Sequence, residues 1–159
     1  MRIGVISDTH GEISATQNAV RMFDSFQVDL VIHCGDVDTP AIVQQLADRP
    51  CHFVLGNMDN RVAMPKVIEA AGQTCHDRFG HLQLEGRSIA FLHGHDLALL
   101  RGTINSGRWD LVCCGHTHVA AQQLRGRTLV VNPGAIQRTN TPSVAVIDLP
   151  SLEVTTIAL

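Results

Sequence analysis

Leu111-Val112-Cys113-Cys114-Gly115-His116-Thr117-His118 is the stretch around which the chain is organised. The apolar residues 111–114 predict a strand, and two histidines follow it at positions i and i+2. If they continue the strand, both imidazoles point to the same side. Imidazole is the commonest metal ligand among protein side chains. Taken alone, the stretch predicts either a metal site or a pair of surface histidines in a loop that contains glycine.

Four other apolar runs end in the same way, each leading into a polar residue that can bind a metal. These residues are, in chain order, Asp8 with His10, Asp36, Asn57 and His93. Each lies at the carboxyl end of a predicted strand, which is where open α/β sheets bind their ligands. We therefore expect all of these side chains, together with His116 and His118, to converge on one site.

Seven potential ligands are too many for a single ion that keeps an open position, because a catalytic zinc site uses three protein ligands. Two metals that share one carboxylate fit better, and such pairs lie about 3.5–4 Å apart. The mixture of carboxylate, amide and imidazole suits Mn²⁺, Fe or Zn²⁺. No cysteine shares the spacing, so a thiolate site is not indicated.

The first half of the chain alternates strands with helices. We predict strands at residues 2–7, 30–32 and 51–55, a helix at about residues 14–26, and a second helix that begins at Thr39-Pro40. Ser14 and Gln17 have the spacing of a capping box. A strand–helix–strand–helix–strand pattern predicts a parallel sheet with right-handed crossovers. Residues 60–74 are interpreted as loop.

The second half is rich in hairpins. Turn signals at Glu85-Gly86, Arg125-Gly126 and Pro150-Ser151 each separate two strand-like runs. A third helix is predicted from Leu97, with Asp96 as its cap. The sequence thus indicates one α/β domain over residues 1–159, with two stacked mixed β-sheets flanked by helices.

Composition excludes several classes of protein. Hydrophobic residues make up 45% of the 159 residues and charged residues 17%, so a core can form. Lys66 is the only lysine and the net charge is −3, which leaves no basic stripe for a nucleic acid. No apolar run reaches the roughly 18 residues that span a bilayer. Without a signal-peptide pattern, we expect a cytoplasmic protein with reduced, buried cysteines.

In this order, the motifs D-x-H, G-D, G-N-x-D, H-G-H and G-H-x-H resemble the calcineurin-like metallophosphoesterases, closest to their small single-domain, YfcE-like phosphodiesterase branch. The resemblance covers Ile3 to Gly134 and implies a four-layer α/β sandwich. It implies a dinuclear metal centre, with Mn²⁺ expected and Fe, Zn or Ni as alternatives. One metal would be held by Asp8, His10, Asp36 and His118. The other would be held by Asp36, Asn57, His93 and His116.

By the same resemblance, the protein is a phosphoric ester hydrolase whose substrate is a small phosphodiester. A hydroxide held between the metals would attack phosphorus, with Asp36 as the bridging carboxylate and with Asn57 and His93 also serving catalysis. Asn132-Pro133-Gly134 matches a turn that lies beside the site in relatives. Two positions depart from the family pattern. Met58 replaces a histidine that many relatives use to protonate the leaving group, and Ala135 replaces a frequent serine.

Several polar residues have two interpretations. Asp59 either orients a ligand from behind or forms a turn, and His95 either supports the ligands or opens a helix. His33 is interpreted as a satisfied core histidine, whereas we expect His52, His76 and His81 to be solvated. Arg61 and Arg138 could meet the substrate phosphate.

Two other functions are compatible with the same motifs. One is a non-catalytic scaffold, because the retromer scaffold subunit resembles this branch and its metal site is eroded. The intact ligand set argues against it. The other is a nuclease, which this short acidic chain does not favour because it lacks a cationic track. A homo-oligomer is left open by the sequence.

Overall fold

A computed structural model describes residues 1–159, in which eleven strands form two mixed sheets and four helices pack against them. In spatial order, the first sheet contains β11 (Glu153–Ala158), β10 (Ser143–Asp148), β1 (Arg2–Ile6), β2 (Leu30–His33), β3 (Cys51–Phe53) and β4 (Thr74–Cys75). The second contains β5 (Phe79–Leu84), β6 (Arg87–Leu92), β7 (Leu111–Cys113), β9 (Thr128–Asn132) and β8 (Ala121–Arg125). The helices are α1 (Ile13–Ser25), α2 (Pro40–Leu46), α3 (Ala63–Ala70) and α4 (Leu97–Asn105).

The four layers follow from how apolar residues alternate along the strands. In β1, Ile3 and Val5 face the second sheet, whereas Ile6 faces the helices of the first sheet. A cluster of 14 buried residues fills the space between the two sheets. Helices α1, α2 and α3 cover the outer face of the first sheet, and α4 covers the second through Leu99 and Leu100. The predicted α/β sandwich is confirmed.

Gly4 shows how closely α1 approaches the first sheet. A Cβ at this position would lie 2.8 Å from the Phe23 ring, which is buried against the sheet. A side chain on β1 would therefore push the helix away, and α1 leads directly out of the loop that carries Asp8 and His10.

Strand direction brings the carboxyl ends together. β1, β2, β3 and β4 run parallel to one another, and β10 is antiparallel to β1. In the second sheet, β6, β7 and β9 are parallel. The loops after β1, β2, β3, β6 and β7 carry the seven residues that the sequence suggests as ligands, so the topology brings these loops to one end of the two sheets.

The structure differs from the sequence-based expectations in local details. Residues 60–74 are not a loop, because α3 and the first residue of β4 lie there. Helix α3 packs against the core through the buried side chains of Met64 and Ile68. Glu12, not Ser14, caps α1, since its side chain accepts a hydrogen bond from the backbone N–H of Ser14. The predicted cap of α4 is confirmed, with Asp96 accepting from Leu99 N–H.

The hairpin turns also test the predictions. Glu85 and Gly86 have φ values of +49° and +74°, as a two-residue turn between β5 and β6 requires. The next turn is displaced by one residue, because Arg125 pairs with Thr128 and the loop is Gly126-Arg127. None of the four helices is sufficiently long and apolar to cross a membrane.

Candidate metal centre

The ligand loops leave their strands through an unusual backbone conformation. Five of the seven predicted ligands have positive φ: Asp8, His10, Asp36, His116 and His118, with values from +43° to +68°. Aspartate and histidine are among the few non-glycine residues enriched in this left-handed region. The chain thus turns sharply at each strand end, and the ligand side chains point into a common space.

Two glycines permit the loops to approach one another. A Cβ on Gly56 would overlap the Oδ1 atom of Asp36, and a Cβ on Gly115 would overlap the hydroxyl of Ser7. The loop after β3 therefore lies directly against the loop after β2, and the loop after β7 lies against the end of β1. These contacts explain why glycine precedes the ligands in the G-N-x-D and G-H-x-H motifs.

Asp8, His10 and His118 form the first group of potential ligands. The Oδ1 atom of Asp8 lies 3.1 Å from Nε2 of His118 and 3.9 Å from Nε2 of His10. Asp8 is fully buried, yet its Oδ1 accepts no hydrogen bond, and neither does the buried Nε2 of His10 have a partner. Unpaired buried polar atoms that face each other in this way fit a bound cation.

Asp36, His93 and Asn57 form the second group. The Nε2 atom of His93 lies 3.3 Å from Oδ2 of Asp36, 3.1 Å from Oδ1 of Asn57 and 4.0 Å from Oδ1 of Asp8. The same Oδ2 of Asp36 lies 3.7 Å from Nε2 of His10. Asp36 therefore stands between the two groups, and Asp8 is also shared by them.

His116 is the predicted ligand that is least enclosed. Its side chain is exposed, and its ring centre lies 5.1 Å from that of His93. Its backbone N–H donates to Oδ2 of Asp8 at 3.0 Å. The structure thus places His116 beside the second group but outside both sets of closely spaced ligand atoms.

Three of the histidines hold their rings in the same way. The Nδ1 atom donates to an oxygen that can only accept: Asp38 Oδ2 for His10 at 3.0 Å, Cys34 O for His93 at 2.8 Å, and Arg138 O for His118 at 3.3 Å. In its neutral form, a ring held in this way presents the lone pair of Nε2 to the carboxylates. A lone pair facing a carboxylate oxygen is repulsive unless a cation, either a proton or a metal, lies between them.

The charges on Asp36 and His93 are coupled. Burial favours the neutral form of Asp36, but hydrogen bonds from His93 and from Met58 N–H, together with nearby imidazoles, lower its pKa to about 2. Burial also disfavours a charged His93, yet its hydrogen bond with Asp36 raises the pKa of His93 overall. A metal that binds His93 must therefore displace the imidazole proton that His93 shares in its hydrogen bond to Asp36.

Asp59 fixes the loop that carries Asp36. Its buried carboxylate accepts hydrogen bonds from the backbone N–H groups of Asp36, Val37, Asp38 and Gly56, at 2.8–2.9 Å. Asp59 thus holds the backbone of the loop after β2 against Gly56. Its contacts are with backbone, however, and not with Asn57 or a ligand histidine.

Other supporting residues were not identified from the sequence. Ser7 donates to Oδ2 of Asp8 at 2.6 Å, and Asp38 holds His10. Asn132, noted only as part of a turn, donates to Gly115 O at 2.9 Å and to the Thr117 hydroxyl at 3.0 Å. Asn132 therefore holds the loop between the two histidines of the G-H-x-H motif. Asp38 could have been found, because it repeats the aspartate two positions after Asp36.

The remaining histidines divide into three cases. His33 is a satisfied core residue, as predicted, with its ring bonded to the Thr9 hydroxyl and to Gly35 N–H. His52 and His76 are not solvated as expected: they are partly buried and share a 2.9 Å hydrogen bond. They meet because the β3–β4 ladder aligns these segments. His81 is exposed, as predicted.

His95 opens the segment that leads to α4 and lies beside two predicted ligands. Its ring centre is 5.4 Å from that of His93 and 6.2 Å from that of His116. Its Nδ1 atom is buried without a partner. Burial, followed by the neighbouring imidazoles, lowers the pKa of His95.

The arginines near the site differ in their pairing. Arg61 pairs with Asp77 at 3.0 Å and Arg78 pairs with Asp96 at 2.7 Å. Arg138 is exposed and its guanidinium forms no ion pair, while its carbonyl accepts from His118. The guanidinium of Arg138 is thus unpaired, whereas that of Arg61 is engaged.

Comparison with known proteins places these motifs in a family. A family model described as the calcineurin-like phosphoesterase superfamily domain matches residues 1–151. Phosphodiesterase MJ0936 of Methanocaldococcus jannaschii is 28% identical over 165 residues, covering 100% of this chain and 99% of the relative. Phosphodiesterase YfcE of Escherichia coli is 26% identical, covering 86% of this chain and 79% of the relative.

Solved structures agree with the observed fold. A structure described as a novel archaeal phosphodiesterase superimposes with a TM-score of 0.91 at 28% sequence identity, and each chain covers 100% of the other. The structure of Escherichia coli YfcE superimposes with a TM-score of 0.73 at 20% identity, over 99% of each chain. That lower identity supports the fold alone.

Proposed function

The chain belongs to the calcineurin-like phosphoesterase superfamily, and on this premise we propose that it is a metal-dependent phosphodiesterase with a dinuclear centre. Membership makes the chain a hydrolase of phosphate esters, and two relatives, matched over 99% and 79% of their own lengths, carry the name phosphodiesterase. The substrate we propose is a small phosphodiester.

One observation carries the metal-dependent part of this proposal. The unbonded Oδ1 of Asp8 lies within 4.0 Å of the Nε2 atoms of His10, His93 and His118. Each of those rings is held through Nδ1 by an oxygen of the chain, so its lone pair faces inward. The donor set of carboxylate, imidazole and amide suits Mn²⁺, with Fe, Zn²⁺ or Ni²⁺ as alternatives.

We assign one metal to Asp8, His10, Asp36 and His118, and the second to Asp36, Asn57, His93 and His116. The position of Asp36 Oδ2 between His10 and His93 supports its role as the shared carboxylate. The location of Asn57 Oδ1 beside His93 supports an amide ligand in the second set. The closeness of His116 to His93 supports its place there, although its exposed ring would need to turn inward.

Two divalent cations bound there would supply a water of lowered pKa as nucleophile and would neutralise charge on the phosphoryl oxygens. The residues of the chain do the rest. Asp59 and Ser7 keep the carboxylates of Asp36 and Asp8 in position, and the Nδ1 contacts keep the imidazoles aligned. Asn57 can coordinate without adding negative charge against an anionic ester.

The leaving group has no obvious acid. Met58 follows Asn57, and its backbone N–H donates to Oδ1 of Asp36 at 2.9 Å. Its thioether cannot donate a proton. The proposed enzyme should therefore act best on esters whose alcohol leaves without protonation, such as aryl diesters.

The decisive experiment measures hydrolysis of bis-p-nitrophenyl phosphate by metal-stripped protein, before and after Mn²⁺ is added. Asp36→Asn is the test variant, because it keeps the shape of the side chain and removes the charge. Asp48→Asn, at an exposed position, is its control. We expect turnover that requires metal and that is lost only in Asp36→Asn. Folded, metal-loaded wild-type protein that hydrolyses no activated ester would overturn the proposal in favour of a scaffold.

A nuclease is the less favoured alternative. The net charge is −3, and two arginines near the site are neutralised by Asp77 and Asp96. Nucleic-acid binding usually depends on several free cationic side chains and weakens steeply with salt. A salt-sensitive gel shift with DNA would reverse this judgement.

A further inference from the structure

A cavity of about 690 Å³ lies on the outer face of the second sheet, between helix α4 and the edge strand β5. Its walls are the outward side chains of β5, one face of α4, and the two residues Arg108 and Trp109 that precede β7. Cavities that hold small molecules usually measure about 300–1,000 Å³. None of the seven expected metal ligands lines this cavity, so it is separate from the candidate metal centre.

Three rings stand together in the cavity wall. The ring centre of Trp109 lies 5.9 Å from that of Phe79 and 5.9 Å from that of His81. Phe79 and His81 are two residues apart on β5 and therefore share its outward face, with 6.4 Å between their ring centres. These separations are those of interacting aromatic pairs. A flat aromatic group in the cavity would extend this set of rings.

Arg108 brings to the same wall a positive charge that no carboxylate neutralises. Its guanidinium carbon lies 5.7 Å from the centre of the Trp109 ring, and the guanidinium forms no ion pair. The nearest acidic residue in the chain, Asp110, is engaged by Arg87 at 3.8 Å and by Arg127 at 3.1 Å. Two serine hydroxyls hold the backbone N–H and C=O of Arg108. The cavity therefore offers an anchored cation beside an aromatic face.

Gly102 keeps the helix side of the cavity open. It is the sixth of the nine residues of α4, and glycine is among the least favourable residues in a helix interior. A Cβ at this position would meet nothing within 4 Å, whereas a Cβ on Gly80 would overlap the Phe91 ring. Packing thus requires glycine at position 80 but not at position 102. The volume that Gly102 leaves empty is of use to a ligand and of none to the fold.

We propose that this cavity binds a small planar aromatic anion. The ring of the ligand would lie against Phe79, His81 and Trp109, and its negative group would pair with the guanidinium of Arg108. A neutral ring would leave that charge without a partner, and a small inorganic anion would leave the rings uncovered. Simple aryl acids and nucleotides both have this chemistry. The proposal does not rest on the proposed hydrolysis, because the cavity shares no residue with the metal centre.

Tryptophan fluorescence provides the measurement. Trp109 is the only tryptophan and the chain contains no tyrosine, so the emission reports on this cavity alone. The probes are benzoate and the phosphonate analogue of AMP, in which carbon replaces the ester oxygen and prevents hydrolysis. Benzamide and adenosine are their uncharged counterparts, and acetate carries the charge without a ring.

We expect at least one of the two aromatic anions to quench the emission of the full chain saturably, with a dissociation constant of about 1 mM or lower. Its uncharged counterpart, and acetate, should bind at least about tenfold more weakly, because each lacks one of the two contacts. Tighter binding of the phosphonate than of benzoate would identify a nucleotide as the source of the ligand. The opposite order would identify a simple aryl acid.

Arg108→Gln tests the charge, and Arg101→Gln is its matched control. Arg101 is also exposed and without an ion pair, and it lies on α4, but it does not line the cavity. We expect Arg108→Gln to bind the aromatic anion at least about tenfold more weakly. Its binding of the uncharged counterpart should not change. Arg101→Gln should bind both as the wild type does.

Gly102→Phe tests the volume, and Gly102→Ala is its control. Neither substitution makes the Cβ clash, and both replace glycine by a better helix former, so both variants should remain folded. We expect Gly102→Phe to lose binding because its ring occupies the cavity. Gly102→Ala should keep binding and unfold at a slightly higher temperature than the wild type.

Two results would overturn the proposal. One is that neither aromatic anion quenches saturably, and the other is that Arg108→Gln and Gly102→Phe bind as the wild type does. If the wild type binds neither anion and Gly102→Phe dissociates a dimer by light scattering, the cavity and the adjoining edge of β5 belong to an interface between copies instead. Hydrolysis of bis-p-nitrophenyl phosphate is measured in parallel, and its absence would reject the proposed function while leaving this site unaffected.

Discussion

The Nε2 atom of His118 lies 3.1 Å from Oδ1 of Asp8, so the last ligand loop closes on the first. The other carboxylate oxygen of Asp8 is already bonded to Ser7 and to His116 N–H. In Asp8→Asn, the amide nitrogen must therefore replace Oδ1 and face the imidazoles. We expect this variant to stay folded but to lose at least about 100-fold in Mn²⁺ affinity and activity.

This first prediction is tested by measuring bound metal and thermal unfolding of the wild type and of Asp8→Asn, each with and without Mn²⁺. Wild-type protein should gain about 3 kcal/mol of stability when Mn²⁺ is present at 100 times its dissociation constant. Asp8→Asn should show no such gain. An equal stabilisation of both proteins by Mn²⁺ would contradict the assignment of Asp8.

Asp38→Gly tests the residue that holds His10. Asp38 has φ of +65°, which glycine adopts without strain, so the substitution removes the carboxylate but should not destabilise the loop. Without the contact to Nδ1, the imidazole loses its fixed tautomer and orientation. We expect Mn²⁺ affinity to fall about 10- to 100-fold by titration calorimetry. Asp38→Asn keeps an acceptor for Nδ1 and should lose much less; equal losses in the two variants would disprove this explanation.

Asp59→Asn tests the loop behind Asp36. Oδ1 accepts from Val37 and Asp38, and Oδ2 accepts from Asp36 and Gly56. Whichever way an amide is turned, its NH₂ group faces two backbone N–H donors. We expect the free energy of unfolding to fall by about 2–3 kcal/mol in urea without metal. The exposed Asp48→Asn should change it by less than about 0.5 kcal/mol; a similar value for Asp59→Asn would refute the prediction.

The buried imidazole of His33 leads us to expect that the free energy of unfolding depends on pH. Burial, which outweighs the attraction of nearby carboxylates, lowers its pKa to about 4 from 6.5. Between pH 6.5 and 4 the unfolded chain binds a proton that the folded chain excludes, so stability falls as pH falls. The loss from this residue amounts to about 3 kcal/mol across that window.

Unfolding of metal-free protein at pH 7 and pH 4.5 measures the effect. Between pH 6.5 and pH 4.5, the free energy of unfolding of the wild type should fall more steeply than that of His33→Gln. The two slopes should differ by about 1.4 kcal/mol per pH unit. Identical pH profiles would show that His33 already takes up a proton in the folded state.

Met58→His addresses the missing acid. Met58 is 52% exposed and its backbone is tied to Asp36, so an imidazole should fit there without disturbing the loop. A positioned general acid contributes about 10²–10⁴-fold to rate. We expect kcat for an alkyl leaving group to rise at least about tenfold, with little change for p-nitrophenol. If wild-type protein hydrolyses alkyl and nitrophenyl diesters equally fast with chemistry limiting, no acid is missing.

The fold was largely predictable because its signals are local. Alternating strands and helices up to Leu55 predicted the parallel strands, and Glu85-Gly86 predicted its hairpin. Helix α3 was missed because it is short and contains Pro65, which reads as a breaker although the first turn of a helix tolerates it. The displaced turn at Gly126 reflects a register that is set by pairing with β9.

The candidate site was predictable for a different reason. Strand ends identified its seven expected ligands, and the structure brings six of them together closely, with His116 beside them. The residues that hold these expected ligands in position were harder to identify from the sequence. Asp59 binds backbone N–H groups, and Cys34 uses its carbonyl, so neither contact depends on a recognisable side-chain pair. His52 and His76 meet only through the β3–β4 ladder, which the sequence did not reveal.

The left-handed ligand residues carry a consequence for how such a protein changes over time. Each non-glycine residue at positive φ costs about 1 kcal/mol relative to an ordinary backbone, and five ligands share that conformation. Glycine at one of them would relieve that cost, but at Asp8 or Asp36 it would also leave buried N–H and O–H donors without their carboxylate acceptor. The sandwich beneath is held by its own apolar layers. A change at one of these positions would therefore exchange a ligand of the proposed centre for a less strained backbone, so we expect the set to persist only where the proposed hydrolysis is under selection.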